Sequence, residues 1–274
     1  MRIIPATWFF ATLAVAVSGQ DPREIVKKSV ELDQVNWMRM KDYTWIARTD
    51  ERHFDSHGNM TSEEKLAWET IPIDGRPFRR ILERNGQTLS PEQQRKQQEK
   101  FDKNTAKVEH ESADQREHRL AEDEKERRRG REFLREIPDA YDLKLEGEAR
   151  IDGQDTWVIS GTPRAGYQPH SRDAKALTKV RGKLWVDKAT YQWVRVEAET
   201  TGTISFGLFL AWLNPGARLV FEQVRVNDEV WLPRRVYVKG SGRVGLLKRI
   251  AMDQEITWNN YRKFEVDSKV VAVQ

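Results

Sequence analysis

Apolar and polar residues alternate with a period of two through most of the second half of the chain. Tyr141, Leu143, Leu145, Gly147, Ala149 and Ile151 share one side of a segment whose other side carries Asp142, Lys144, Glu146, Glu148 and Arg150. This pattern predicts a strand with one face on a core and one in water. Asp152-Gly153 then supplies a tight hairpin turn into residues 156–160. Residues 182–187 and 193–199 read as the arms of a further hairpin, and 219–226, 231–239 and 248–258 continue the pattern. Before them, 43–54, 65–71 and 78–84 supply three more strands. Short-looped strands make an antiparallel sheet, and about ten or eleven of them exceed what a flat sheet carries before it curls. The predicted fold class is α+β: a strongly curved antiparallel sheet, an unclosed β-barrel, whose concave face can hold a ligand.

Helical periodicity appears in two places. Ile25, Val26, Ser29, Val30 and Asp33 form a stripe on a helix that begins at Asp21-Pro22 and should pack on the sheet. Ser90-Pro91-Glu92 gives a second helix start, with serine at the cap and proline in the first turn. From 92 to 136, Gln, Glu, Lys and Arg dominate, and Phe101, Val108, Leu120, Phe133 and Leu134 are the large apolar residues before Ile137. These are strong helix formers with apolar positions too sparse for heptads. One long or two shorter solvated helices are expected as a charged insertion over 90–137. Arg127-Arg128-Arg129 and Arg131 suggest an acidic-lipid or nucleic-acid patch, but Glu122, Asp123, Glu124 and Glu126 just upstream favour a solvated face. The connection 164–179, with a short helix expected over 171–177, is placed to hang over the mouth of the sheet.

Composition narrows the setting. With 274 residues, 38% hydrophobic and 33% charged, the chain can bury one sizeable core but not two. Arg2, an apolar stretch over 8–17 and the small residues that follow predict a secretory signal over 1–19, too short for the ~20 residues a spanning helix needs. Residues 20–274 are then one exported, periplasmic domain, and with no cysteine it relies on no disulfide. A net charge of +4, left from 47 basic and 43 acidic residues, argues against dedicated nucleic-acid binding. Neither a phosphate loop nor zinc-spaced ligands occur, so no cofactor and no metal are expected.

The candidate site follows from alternation. In 204–213, Ile204, Phe206, Leu208, Leu210 and Trp212 fall on one side, with Phe209 and Leu213 on the other. A central core strand or a short buried helix is one reading, and an apolar pocket wall is the other. Leu143, Leu145, Val194, Val196, Ile250 and Met252 extend the inward face. Burying one large apolar side chain is worth about 1.5–3 kcal/mol, so several converging ones can hold an acyl chain with no catalytic group. Signals for catalysis are weaker. His53 and His57 stand four apart but on a strand running into a turn, without a third metal ligand. His110, His118 and His170 fall in charged or loop sequence, Glu197 and Glu199 read as a wet strand face, and no serine has a nucleophile-elbow context.

The leader, the N-terminal helix, Gly182-Lys183-Leu184-Trp185-Val186-Asp187, Val194-Arg195-Val196-Glu197 and Trp231-Leu232-Pro233 together resemble the LolA/LolB-type outer-membrane lipoprotein-sorting superfamily, mainly over 140–265. More narrowly, residues 133–138 and Ser171-Arg172-Asp173-Ala174 resemble exported proteins of the Acidobacteria type. The superfamily resemblance implies an unclosed barrel with a helical lid that carries a lipid or acylated ligand and meets a membrane or envelope protein as donor or acceptor. It also implies an alternative, an envelope-stress sensor or protein-interaction module, for which the charged insertion would serve. The insertion departs from the short carriers of that superfamily.

Overall fold

The computed structural model describes residues 19–206, 211–244 and 248–263; the apolar stretch of the expected leader, and Leu208 and Leu210, lie outside them. Its strands are β1 (Tyr43–Phe54), β2 (Met60–Ile73), β3 (Arg76–Arg84), β4 (Gln87–Thr88), β5 (Tyr141–Ile151), β6 (Gln154–Pro163), β7 (Val180–Asp187) and β8 (Trp193–Thr200). They continue as β9 (Ile204–Phe206), β10 (Ala211–Leu213), β11 (Arg218–Val226), β12 (Val230–Val244) and β13 (Lys248–Lys263). All belong to one curved antiparallel sheet in the order β4-β3-β2-β1-β13-β12-β11-β8-β7-β6-β5, with β10 on β12 and β9 on β10. The sheet does not close: β4 and β5 are its edges.

Thirteen strands exceed the ten or eleven read from alternation because β4, β9 and β10 are only two or three residues long. The described ends of the 204–213 segment are two short strands and not one continuous strand. Ile204 pairs with Leu213 and Phe206 with Ala211, so the segment doubles back as a small hairpin on the end of β12.

Helix α1 (Pro22–Met40) starts where expected, with the Asp21 carboxylate accepting from the Arg23 N–H at 2.9 Å and Pro22 in the first turn. The charged insertion forms two helices, α2 (Pro91–Glu109) and α3 (Ala113–Ala140), each opened by a capping box: Ser90 with Gln93, and Ser112 with Gln115. This pair is also the crossover between the two sheet edges, leaving β4 and delivering the chain to β5. A 3-10 helix, Asp173–Lys179, lies in the connection from β6 to β7.

One core cluster packs Ile25 and Val26 of α1 on Trp157, Ile159 and Val186 of β6 and β7. A second joins Ala140 and Tyr141 to Ala174 and Leu177 of the 3-10 helix. At the far end of α1, Asn36 is buried and bonded twice to one backbone residue: its Nδ2 donates to Trp231 O at 2.8 Å and its Oδ1 accepts from Trp231 N at 2.6 Å. Strand β12 pairs with β13 only from Arg235 onward, so Trp231 has lost its neighbour there and the Asn36 amide replaces it. Leaving a buried donor or acceptor unmet costs about 1–3 kcal/mol each. Asn36→Ala should therefore lower unfolding free energy by about 2–4 kcal/mol, read from the urea midpoint; a change under about 0.5 kcal/mol, the usual surface effect, would show that the pairing does not hold α1.

Candidate ligand-binding cavity

Inward-facing residues of β5 to β8 form rows across the strands. One row runs Leu145, Ile159, Leu184, Val196, all large; the next runs Leu143, Gly161, Gly182, Ala198. The second row is nearly bare after Leu143, and the sheet surface is hollow there. Above it stand Phe133, Leu134 and Ile137 of α3, Val26 of α1 and Leu177 of the 3-10 helix. Between floor and roof lies an apolar cavity of about 250 Å³. Sequence explains the roof: Phe133, Leu134 and Ile137 are the one apolar group at helical spacing in the charged insertion.

The glycines differ in what they tolerate. A side chain at Gly182 would collide with the backbone carbonyl of Glu197, so that position is dictated by strand packing. At Gly161 a Cβ would sit 3.3 Å from the side chains of Tyr141 and Leu143, tight but yielding.

Of the residues inferred from alternation, Leu143 and Val196 line this cavity. Leu145 packs against the adjoining core, Val194 is 2% exposed, and Ile204 is buried in β9. Trp212 pairs with Ser205 and so points to the opposite face of its hairpin from Ile204. Phe206 belongs to the same hairpin, whose tip, with Leu208 and Leu210, is outside the described residues. Met252 and Ile250 are on β13, separated from β8 by β11 and β12, and border other hollows. The one that Met252 borders is larger, about 590 Å³, but its walls include Asp55, Ser56, Arg218 and Lys239. It lacks the apolar character of the smaller cavity. Alternation missed the helical roof, which is built from a different period, and the glycines, which carry no apolar signal.

Polar groups at the cavity are few. Trp193 lines it, and its buried Nε1 has no acceptor among the described residues. Burial pushes the Tyr141 phenol up to about 12, so it stays neutral. Beside the roof, Glu136 is 8% exposed and clasps the loop after β6: it accepts from the Tyr167 hydroxyl and from the His170 N–H at 2.9 Å. Burial opposes its charge, but these bonds and the Ser171 hydroxyl outweigh burial and hold the Glu136 carboxyl below its usual value. The catalytic candidates do not assemble. His53 bonds to Glu51 on its own strand at 2.8 Å, while His57 sits in the turn beside Asp55. Among the described residues no three metal-ligating side chains converge, and no helix is long and apolar enough to cross a membrane.

Comparison with known proteins gives distant likenesses only. No protein-family model matches the chain, and no curated protein matches it. Among solved structures it is similar to a domain named for outer membrane lipoprotein sorting from Vibrio parahaemolyticus, at 12% identity and TM-score 0.36, covering 89% of this chain and 95% of that one. It is also similar to a DUF1329 family protein from Desulfovibrio piger, at 16% identity and TM-score 0.33, covering 91% and 96%. A third is a LolA superfamily protein from Nitrosomonas europaea, at 10% identity and TM-score 0.30, covering 90% and 94%.

The Glu136 clasp has a pH signature. A carboxyl with a lowered folded pKa binds fewer protons folded than unfolded, so its contribution is full above the unfolded value of about 4.3 and is lost as pH falls through the folded value. The stability gap between the parent and Glu136→Gln should be constant above about pH 5.5 and shrink below about pH 4.3. Urea titrations at a series of pH values check this, and a gap that widens in acid would refute the assignment.

Proposed function

We propose that the protein is a non-catalytic periplasmic carrier or binding protein that holds one acyl chain of a lipid or acylated ligand in the cavity under α3. The supporting observation is an apolar roof over a strand row with almost no side chains, which leaves a hollow where a core would be filled. A volume of about 250 Å³ has room for about eight groups the size of water or methylene. At about 0.8 kcal/mol per methylene, such a chain segment gains roughly 6 kcal/mol before the cost of association. Leu143 and Val196 are the proposed contacts among the residues inferred from alternation, with Leu145 supporting them. Trp193 Nε1 is the donor that would orient an ester or carboxyl oxygen. Donor and acceptor would be a membrane or an envelope protein.

The test fills the hollow without touching the helices. Ala198→Leu places a branched side chain over the Gly182 gap, at an overpacking cost of about 1–3 kcal/mol or less. Uptake of a fluorescent fatty acid by the parent protein, and at least a tenfold weaker uptake by a folded Ala198→Leu protein, are expected. Equal uptake by both would remove the site assignment. No uptake by the parent would end the carrier reading in favour of a protein-interaction or envelope-sensor role for the helical insertion.

A further inference from the structure

We propose that the outward face of α2 docks the protein on an anionic phospholipid surface. Lys96, Lys100, Lys103 and Lys107 are all exposed and, at 100° per residue, fall within an arc of about 60°. They form a row about 16 Å long. The opposite face of α2 is committed to the sheet edge: Gln97 Oε1 accepts from the Ile81 N–H of β3 at 3.3 Å, and Phe101 meets Phe78 edge-on with ring centroids 5.4 Å apart. That attachment fixes the row outward.

What sets this row apart from the arginine run on α3 is that three of its four charges are not spent within the molecule. The arginine run on α3, the more conspicuous basic segment in the sequence, is internally paired: Arg127 and Arg131 with Glu124, Arg129 with Asp173, and Arg128 with Glu132. On α2, Lys96 pairs with Glu92, and Glu99 at the margin of the row pairs with Arg95. Lys100, Lys103 and Lys107 have no carboxylate within ion-pair distance among the described residues.

The chemistry of the row selects the partner. Protein interfaces favour aromatic residues and arginine and are poor in lysine, and this arc carries no aromatic side chain. Base-reading and stacking contacts with nucleic acid call for arginine forks and aromatic planes, which this arc lacks. Lysines are point charges on flexible stems, suited to a laterally mobile layer of anionic headgroups, where each adds about fivefold to partitioning. Docking does not depend on what the cavity holds.

Co-sedimentation of the purified protein with phosphatidylcholine vesicles, with and without phosphatidylglycerol, tests this at low and at high salt. The parent should bind only the phosphatidylglycerol vesicles and lose binding as salt rises. Lys100→Gln/Lys103→Gln/Lys107→Gln should weaken binding about 100-fold, with helical circular dichroism unchanged, and the charge-reversed Lys100→Glu/Lys103→Glu/Lys107→Glu should abolish it. Ala198→Leu should dock like the parent, which separates docking from loading of the cavity. Equal binding by parent and glutamine variant, no binding by the parent, or preference for an acidic peptide or an oligonucleotide at the same ionic strength would overturn the proposal.

Discussion

The pairing of one side chain with one backbone residue determines where α1 lies, and the cavity depends on α1. A helix can slide along a sheet when only apolar contacts hold it, because those contacts are non-directional. The Asn36 amide removes that freedom. It fits the two backbone groups of Trp231 that β13 leaves without a partner, and only one axial position of α1 satisfies both. The Trp231 indole Nε1 in turn donates to Thr190 in the turn between β7 and β8, at 3.2 Å. One end of α1 is thus tied, through Trp231, to the strands that form the cavity floor, and Val26 is carried to its place in the wall.

The second constraint is the pair of open edges. An unpaired strand edge invites association with other chains, and the two edges here are handled differently. On the β3 side, α2 lies along the edge and a glutamine occupies a backbone donor. On the β5 side, the register slips between Leu145 and Gly147, and every exposed position carries a charge, of both signs along the strand. Covering one edge with a helix forces the chain to return across the molecule before it can form the other. That return is α3, which is why the roof of the cavity lies in the most charged part of the sequence. Its apolar end touches the cavity, and its charged middle is fastened to the β2–β3 turn, where Arg76 Nε donates to Asp123 at 2.8 Å and Arg119 joins Glu111 and Asp74.

The sheet was legible because period-two alternation survives in each strand by itself. Tyr43–Phe54 has the bounds read from sequence, and the hairpins at Asp152-Gly153 and after Asp187 are in place. The break between α2 and α3 was readable in kind, since Ser112 and Gln115 repeat the capping pattern of Ser90 and Gln93, but the surrounding polar sequence hides it. The hairpin at 204–213 was not readable: uniform apolarity fixes neither period nor direction, so only the pairing with β12 reveals it. The cavity was half readable. Alternation finds Leu143 and Val196, but a hollow is made by what is missing, and Gly161 and Ala198 leave no trace in a hydrophobic pattern.

On the carrier reading, those missing side chains are what separates a vessel from a core. Native interiors are close-packed, and a void lined by apolar groups forfeits dispersion contacts on every wall. Had strand packing required all three small residues, the hollow would be a by-product of geometry. It requires one: a side chain at Gly182 meets the Glu197 backbone, which cannot give way. At Gly161 the obstacle is two side chains at 3.3 Å, which can shift. Ala198 already carries a Cβ, in a strand that accepts valine two residues earlier. The chain therefore leaves unfilled a space that ordinary substitutions would fill, beneath a helix whose apolar residues point into it. On the proposed carrier reading, an occupant from outside the chain accounts for both the floor and the roof, whereas a core accounts only for the roof.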